Sequence, residues 1–234
     1  CSHRIIMEDV GIYVLCYKDK AREKRMRERF HSLDISANFS VIDSNIPEVE
    51  NYKGASNHKK AILGCTMNHI TMIRDFYKSN KKFGIFCEND VYVDKGFKGV
   101  LDSICENHQS LGLDVLLLGY LINFDPETLP VAYGLLKTDG IYRYYGYHDE
   151  QWGTQAYMLN RKYAKYLLDE LTIDAEKQGK NIAADWRITK DGKRALLYPP
   201  LFVEEHSRMS GDAGQDRYHA SCNAFLYKTD RFTI

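Results

Sequence analysis

The chain has 234 residues, 44% of them hydrophobic, which is enough for one domain with a sizeable core. Lys plus Arg and Asp plus Glu both number 32, and the resulting net charge of zero excludes the electrostatic footprint of a nucleic-acid or anionic-membrane binder. No apolar run approaches the ~18 residues that read as a membrane span, and any anionic ligand has to be held locally by a few placed groups.

The six cysteines, Cys1, Cys16, Cys65, Cys87, Cys105 and Cys222, are scattered without a C-x-x-C pair. Cys16, Cys65 and Cys87 fall within apolar segments. That suits small buried hydrophobes in a reducing, cytoplasmic compartment better than disulfides or a zinc framework. The opening CSHRIIMEDV has no signal-peptide apolar core, and the missing initiator Met is compatible with a piece of a longer protein that has lost a targeting segment.

In chain order, Ile12 to Tyr17 predicts a first strand, followed by a charged helix with a narrow apolar stripe of Met26, Phe30 and Leu33. Lys20 and Arg25 read as its solvated face. Arg22 lies in the first turn after the strand, where a cation and free backbone amides meet a phosphate or a base. Asn38 to Ile42 predicts a second strand closing on Asp43, which joins the donor-binding candidates, and the polar SNIPEVENYKGAS reads as a loop. A long helix follows, capped by Ser56 or Asn57, with Ile62, Thr66, Ile70, Ile73 and Tyr77 on one face and His69 on or beside it. By itself that histidine reads as a satisfied core residue.

Phe83 to Cys87 is a short apolar run that breaks into Glu88, Asn89 and Asp90 before apolar character resumes at Val91. Phe97 to Cys105 predicts a helix, and Leu113 to Leu118 a buried strand ending at Gly119, where a glycine lets backbone approach a ligand closely. Tyr142, Tyr144, Tyr145 and Tyr147 suit a half-buried strand. Thr154 to Leu159 predicts another strand, with Asn160 capping the helix RKYAKYLLDEL. Asp185 and Trp186 lie in the next segment, and two short strands, Ala195 to Tyr198 and Leu201 to Val203, run into Glu204, Glu205 and His206. Ser207 to His219 is polar and contains glycine, and reads as a mobile tail or lid. Alternating strands and helices predict an α/β fold with a mainly parallel central sheet flanked by helices, in a single domain over 1–234 with a core of about 11–206 and a tail over 207–234.

Neither a G-x-G-x-x-G nor a Walker A pattern is present, so dinucleotide oxidoreductases and P-loop NTPases lack their phosphate loops. In an open α/β sheet, ligands bind beyond the carboxyl ends of the strands, which is where Glu88 and Asp90 are offered. A hard divalent ion takes carboxylate oxygens, and Mn²⁺ also accepts an imidazole. Asp90 with His206 is therefore a sensible partial shell, completed by diphosphate oxygens.

Five segments occur in a telling order: YVLCYKDKAREKRMRERF, GCTMNHI, FGIFCENDVYV, WGTQAYMLNRKYAKYLL, and ADW leading to YPPLFVEEHS. As an ordered set, spanning Tyr13 to Ser207, they resemble glycosyltransferase family 25, which includes lipooligosaccharide and collagen β-galactosyltransferases. The resemblance implies a GT-A type fold, a UDP-sugar donor, Mn²⁺ dependence and inversion at the anomeric carbon. It also implies roles: Arg22 and His69 near the donor, Glu88 and Asn89 in the acidic motif, Asp90 on the metal with His206 completing its shell, and Asp185 as the base that deprotonates the acceptor hydroxyl.

Three positions depart from the family pattern. Asn89 replaces the middle acid, Asn68 the usual serine, and Cys16 a common asparagine. The expected function is thus a metal-dependent hexosyltransferase, moving galactose or glucose from a UDP-sugar to a hydroxyl of a glycan or protein. The alternatives are a UDP-sugar- or glycan-binding member that has lost turnover, motivated by Asn89, and a nucleotidyltransferase or sugar-nucleotide hydrolase using the same carboxylates.

Overall fold

The computed structural model describes residues 7–206 and 210–234. β1 (Val10–Tyr17) leads through α1 (Lys20–Ser32) to β2 (Asn38–Ile42), a short α2 (Pro47–Glu50) and the long α3 (Asn57–Lys78). Next come β3 (Phe83–Glu88), β4 (Val91–Val93), α4 (Phe97–Ser110) and β5 (Val115–Gly119). A hairpin of β6 (Leu135–Asp139) and β7 (Tyr142–Tyr145) precedes β8 (Ala156–Asn160), α5 (Arg161–Glu170), α6 (Ile173–Lys177) and α7 (Ala184–Lys190). β9 (Arg194–Tyr198), β10 (Phe202–Glu204) and α8 (Ala213–Leu226) complete the order.

An eight-stranded sheet has the order β2-β1-β3-β8-β5-β9-β7-β6. β1 is parallel to β2 and β3, and β5 is parallel to β9, while β8 runs antiparallel between β3 and β5 and β7 antiparallel to β9. The α/β class is as the alternation of elements predicts, with β7 and β8 against the common direction. β4 and β10 form a separate antiparallel pair that places Glu204 opposite Val91.

The central strands β1, β3, β5 and β8 are buried along nearly their whole length, so both faces of the sheet are covered there. On one, Tyr13, Leu15, Phe86 and Leu117 pack with Leu63, Ile70, Ile73 and Phe76 of α3 and Leu167 of α5. On the other, Val14, Cys16, Ile85, Cys87 and Leu116 pack with Met26 and Phe30 of α1 and Phe97, Leu101 and Ile104 of α4. The helix starts follow their capping residues. Ser56 Oγ accepts from the Lys59 N–H at 3.1 Å, Asn160 Oδ1 from that of Tyr163 at 2.7 Å, and Asp19 Oδ1 from that of Arg22 at 3.0 Å.

Two expectations change. Cys16 and Cys87 are buried, as are Cys105 and Cys222, but Cys65 is exposed, because on α3 it falls beside the buried face set by Leu63, Thr66, His69 and Ile70; Cys1 lies outside the described residues. The tail expected over 207–234 contains α8. Asp212 caps that helix through its Oδ1, 2.8 Å from the Gly214 N–H, and Cys222 and Leu226 anchor it. Residues 207–209 lie outside those described. Among the described residues no helix is long and apolar enough to cross a membrane.

Candidate active site

The parallel strands β1 and β3 end on the same edge of the sheet, and a cavity of about 600 Å³ opens there. Its lining includes Leu15 and Tyr17 from β1, Asp19 and Arg22 at the start of α1, Asn45 after β2, Lys60, Cys65 and Asn68 from α3, and Glu88, Asn89 and Asp90 after β3. The sequence candidates Arg22, Glu88, Asn89 and Asp90 therefore share one cavity.

Arg22 is buried, and its Nη1 lies 3.4 Å from Asp90 Oδ2. Asp90 Oδ1 is buried without a hydrogen-bond partner. Burial, followed by the nearby charges of Glu88 and Glu204, pushes the Asp90 carboxyl up from 3.8 to about 7, and Arg22 opposes the shift only in part. A carboxylate so crowded by negative charge, with one oxygen unpartnered, is of the kind that holds a divalent cation. Asn68 is also buried at the cavity wall with its side-chain oxygen unpartnered.

β10 brings the second acidic stretch alongside, since the Glu205 N–H donates to the Asp90 carbonyl at 2.7 Å. The three residues there have different surroundings. Glu205 is engaged by two arginines one helical turn apart on α1, Arg25 Nη2 at 2.8 Å and Arg29 Nη2 at 2.6 Å; Arg25 keeps 42% of its side chain exposed, as the sequence predicts, yet is paired across the fold. Glu204 Oε2 lies 2.7 Å from His219 Nδ1 on α8. His206 follows Glu205, has a left-handed backbone with φ of 46°, and lies outside the cavity lining.

His69, on the buried face of α3, has Nδ1 2.7 Å from the Tyr157 hydroxyl and Nε2 3.4 Å from Glu88 Oε1. Burial by itself would lower the basicity of its imidazole, but Tyr157, Cys65 and Glu88 together outweigh burial and raise it well above its ordinary value. Asp185 stands exposed in the first turn of α7. Its Oδ1 accepts from Thr154 Oγ1 at 2.7 Å, and the same hydroxyl lies 3.4 Å from Glu88 Oε1. Asp185 thus sits outside the cavity lining, joined to its rim through Thr154.

Two candidates have other surroundings. Asp43 is exposed, pairs with Lys20 at 3.4 Å, and is not among the residues that line the cavity, as Ser44 and Asn45 are. Gly119 does permit a close approach, but of protein: a Cβ there would meet Phe202 Cβ at 2.9 Å and the Phe202 carbonyl at 3.0 Å. Its missing side chain is used to seat β10 against β5.

Sequence reasoning did not single out Thr154, Cys65 or the aromatic pair beside Asp185. Trp152 and Trp186 have ring centroids 5.9 Å apart, and Lys190 Nζ lies 4.6 and 5.1 Å from the two rings. Thr154 is two residues beyond Trp152 in the WGT segment, and Gly153, with φ of 121°, makes the turn between them.

Among curated proteins no match to the chain is found. Among solved structures, the chain is similar to a glycosyltransferase involved in the glycosylation of the major capsid of PBCV-1. The two are 12% identical with a TM-score of 0.44, over 90% of this chain and 98% of that one. The sequence profile of glycosyltransferase family 25 (LPS biosynthesis protein) matches residues 10–177, which is most of the chain and includes β1, α3, β3 and β8. The chain belongs to glycosyltransferase family 25.

Proposed function

We propose that this glycosyltransferase moves a hexose, galactose or glucose, from a UDP-sugar to a hydroxyl of a glycan or protein, with inversion and with a divalent ion, Mn²⁺ foremost. One observation carries the reading: a cavity at the carboxyl ends of β1 and β3 gathers a buried arginine, an unpartnered asparagine oxygen and the Glu88-Asn89-Asp90 turn. Such a set suits a ligand with a phosphate, polar base edges and ribose hydroxyls.

In this reading Arg22 and the amides at the start of α1 face the diphosphate, Asn68 accepts from a donor N–H or O–H, and Glu88 accepts from the ribose. Asp90 holds the ion, with Glu204 and His206 as the next candidates. When bound, the ion supplies positive charge to the departing diphosphate. Asp185 takes the proton of the acceptor hydroxyl. The acceptor oxygen forms its bond to the anomeric carbon on the face opposite the breaking bond to UDP, and UDP leaves with that electron pair. Thr154 orients the base by donating to Asp185.

Calorimetric titration of UDP in the presence of Mn²⁺ tests the donor assignment. Wild type should bind, and Arg22→Ala and Asn68→Ala should each bind about tenfold or more weakly, as loss of a hydrogen bond to a charged or buried partner costs on the order of 1.5–3 kcal/mol. No UDP binding by wild type, or undiminished binding by both variants, contradicts it. Asn89 favours a second reading, a member that binds UDP-sugar without turnover. UDP binding with no transfer to any acceptor would support that one.

A further inference from the structure

We propose that Cys65, His69 and Glu88 form a binding site for a borderline divalent cation, Zn²⁺ foremost, with three protein ligands and a fourth position open toward the cavity. Zn²⁺ binding here needs no sugar donor, and the site is separate from the hard-ion position at Asp90; it takes Glu88 Oε1, which faces His69, and leaves Oε2 to the donor ribose.

Cys65 and His69 are four residues apart on α3, the spacing that puts two side chains on one face of a helix one turn apart. Glu88, at the end of β3, reaches the same point from the sheet. The sulfur, one imidazole nitrogen and one carboxylate oxygen all lie within 4.8 Å of one another. His69 is fully buried, yet its Nε2 has no hydrogen-bond partner. That nitrogen lies 3.4 Å from Glu88 Oε1, longer than a good hydrogen bond. It matches the spacing of about 3.3–3.4 Å between two ligand atoms each about 2.0–2.1 Å from a tetrahedral ion.

The other ring nitrogen is already placed. Nδ1 lies 2.7 Å from the Tyr157 hydroxyl, which fixes the ring and, by accepting the Nδ1 proton, leaves Nε2 as the ligand atom. Cys65 and Glu88 line the cavity, so an ion can enter from solvent and the fourth position stays open to water or a cavity ligand. Binding releases the thiol proton together with any proton on Nε2, and rotation of the exposed Cys65 side chain closes the remaining distance. Thiolate with imidazole selects Zn²⁺ or Co²⁺ over Mg²⁺ and Mn²⁺.

The test is titration of chelator-stripped protein with Zn²⁺ alone against a chromophoric competitor, and with Co²⁺ alone as a spectral probe. Wild type should take up one equivalent of Zn²⁺, and its Co²⁺ complex should carry a thiolate-to-metal charge-transfer band. Cys65→Ser should lose that band and bind Zn²⁺ more than about tenfold less tightly. Tyr157→Phe should keep the band with affinity lower by about 10- to 100-fold. Asp90→Asn should keep both band and stoichiometry. Thermal melts of the metal-free variants establish that each is folded. Absence of the band in wild type overturns the site. So does a band that survives Cys65→Ser, or one lost on Asp90→Asn.

Discussion

The Thr154 hydroxyl donates to the Asp185 carboxylate at 2.7 Å and lies 3.4 Å from Glu88, so a side chain on the loop before β8 joins the start of α7 to the end of β3. Asp185→Asn should cut transfer by about 100-fold or more, the usual worth of a general base, while leaving UDP affinity within about twofold. Thr154→Val, which keeps the shape and removes the donor, should lower kcat about tenfold with the same unchanged UDP affinity. Steady-state kinetics alongside UDP calorimetry separate the two effects. Lost UDP binding in Asp185→Asn would make it a donor-site residue.

The crowding of Asp90 predicts a trade between stability and ion binding. Its carboxyl is raised from 3.8 to about 7, so the folded state favours the protonated form, and its contribution is lost as pH rises from about 4 through 7. Asp90→Asn should raise the Tm of metal-free protein at pH 7–8 and abolish the further rise on adding Mn²⁺. Asn89→Asp adds a charge to the same turn and should do the reverse, lowering the metal-free Tm and tightening Mn²⁺. Scanning calorimetry with and without Mn²⁺ reads both, and an Asp90→Asn protein less stable than wild type at pH 8 would contradict the account.

His108 gives the opposite sign. Burial pushes its imidazole down from 6.5 to about 4, and its Nε2 has no partner. Above about pH 6.5 neither state carries the proton and nothing is lost. Below it the unfolded chain takes up a proton that the folded one refuses until about pH 4, so stability falls as pH falls. Between pH 6.5 and 5 the loss amounts to roughly 2 kcal/mol. Urea unfolding at these two pH values should show that extra loss in wild type and not in His108→Gln.

Much of this arrangement is legible in the sequence where one local signal suffices. The apolar runs of β1 and β3, the Ser56 and Asn160 caps, and the break into Glu88-Asn89-Asp90 each lie within a few residues, and Arg22 and Asp90 do meet. Relations between distant segments are less legible. Arg25 and Arg29 engage Glu205 across more than 170 residues, so a residue that looks like a spare ligand is already paired. Gly119 looks like a ligand approach until Phe202 is seen against it. Thr154 and Cys65 carry no motif of their own, and their neighbours come from folding. α8 escapes notice because its few buried anchors, Cys222 and Leu226 among them, are scattered among polar residues.

Trp152 and Trp186, their rings tilted at 44° with the Lys190 ammonium over both, place an aromatic surface beside Asp185, as an acceptor sugar would need. Trp152→Ala should raise the acceptor KM about 5- to 20-fold, consistent with a lost aromatic contact of on the order of 1–2 kcal/mol, and leave the UDP-sugar KM unchanged. Equal changes in both constants would place the pair in the fold rather than at the acceptor.

Hexosyl transfer from a UDP-sugar is read most directly as UDP release. UDP-galactose and UDP-glucose are each incubated with protein and a panel of hydroxyl acceptors, in Mn²⁺ and in excess chelator. Acceptor-dependent UDP release is expected from at least one donor, with the β-linked product, strongly reduced by chelator and by Asp185→Asn. Acceptor-dependent release that is equal with Mn²⁺ and with chelator, or no release with any acceptor, would contradict it.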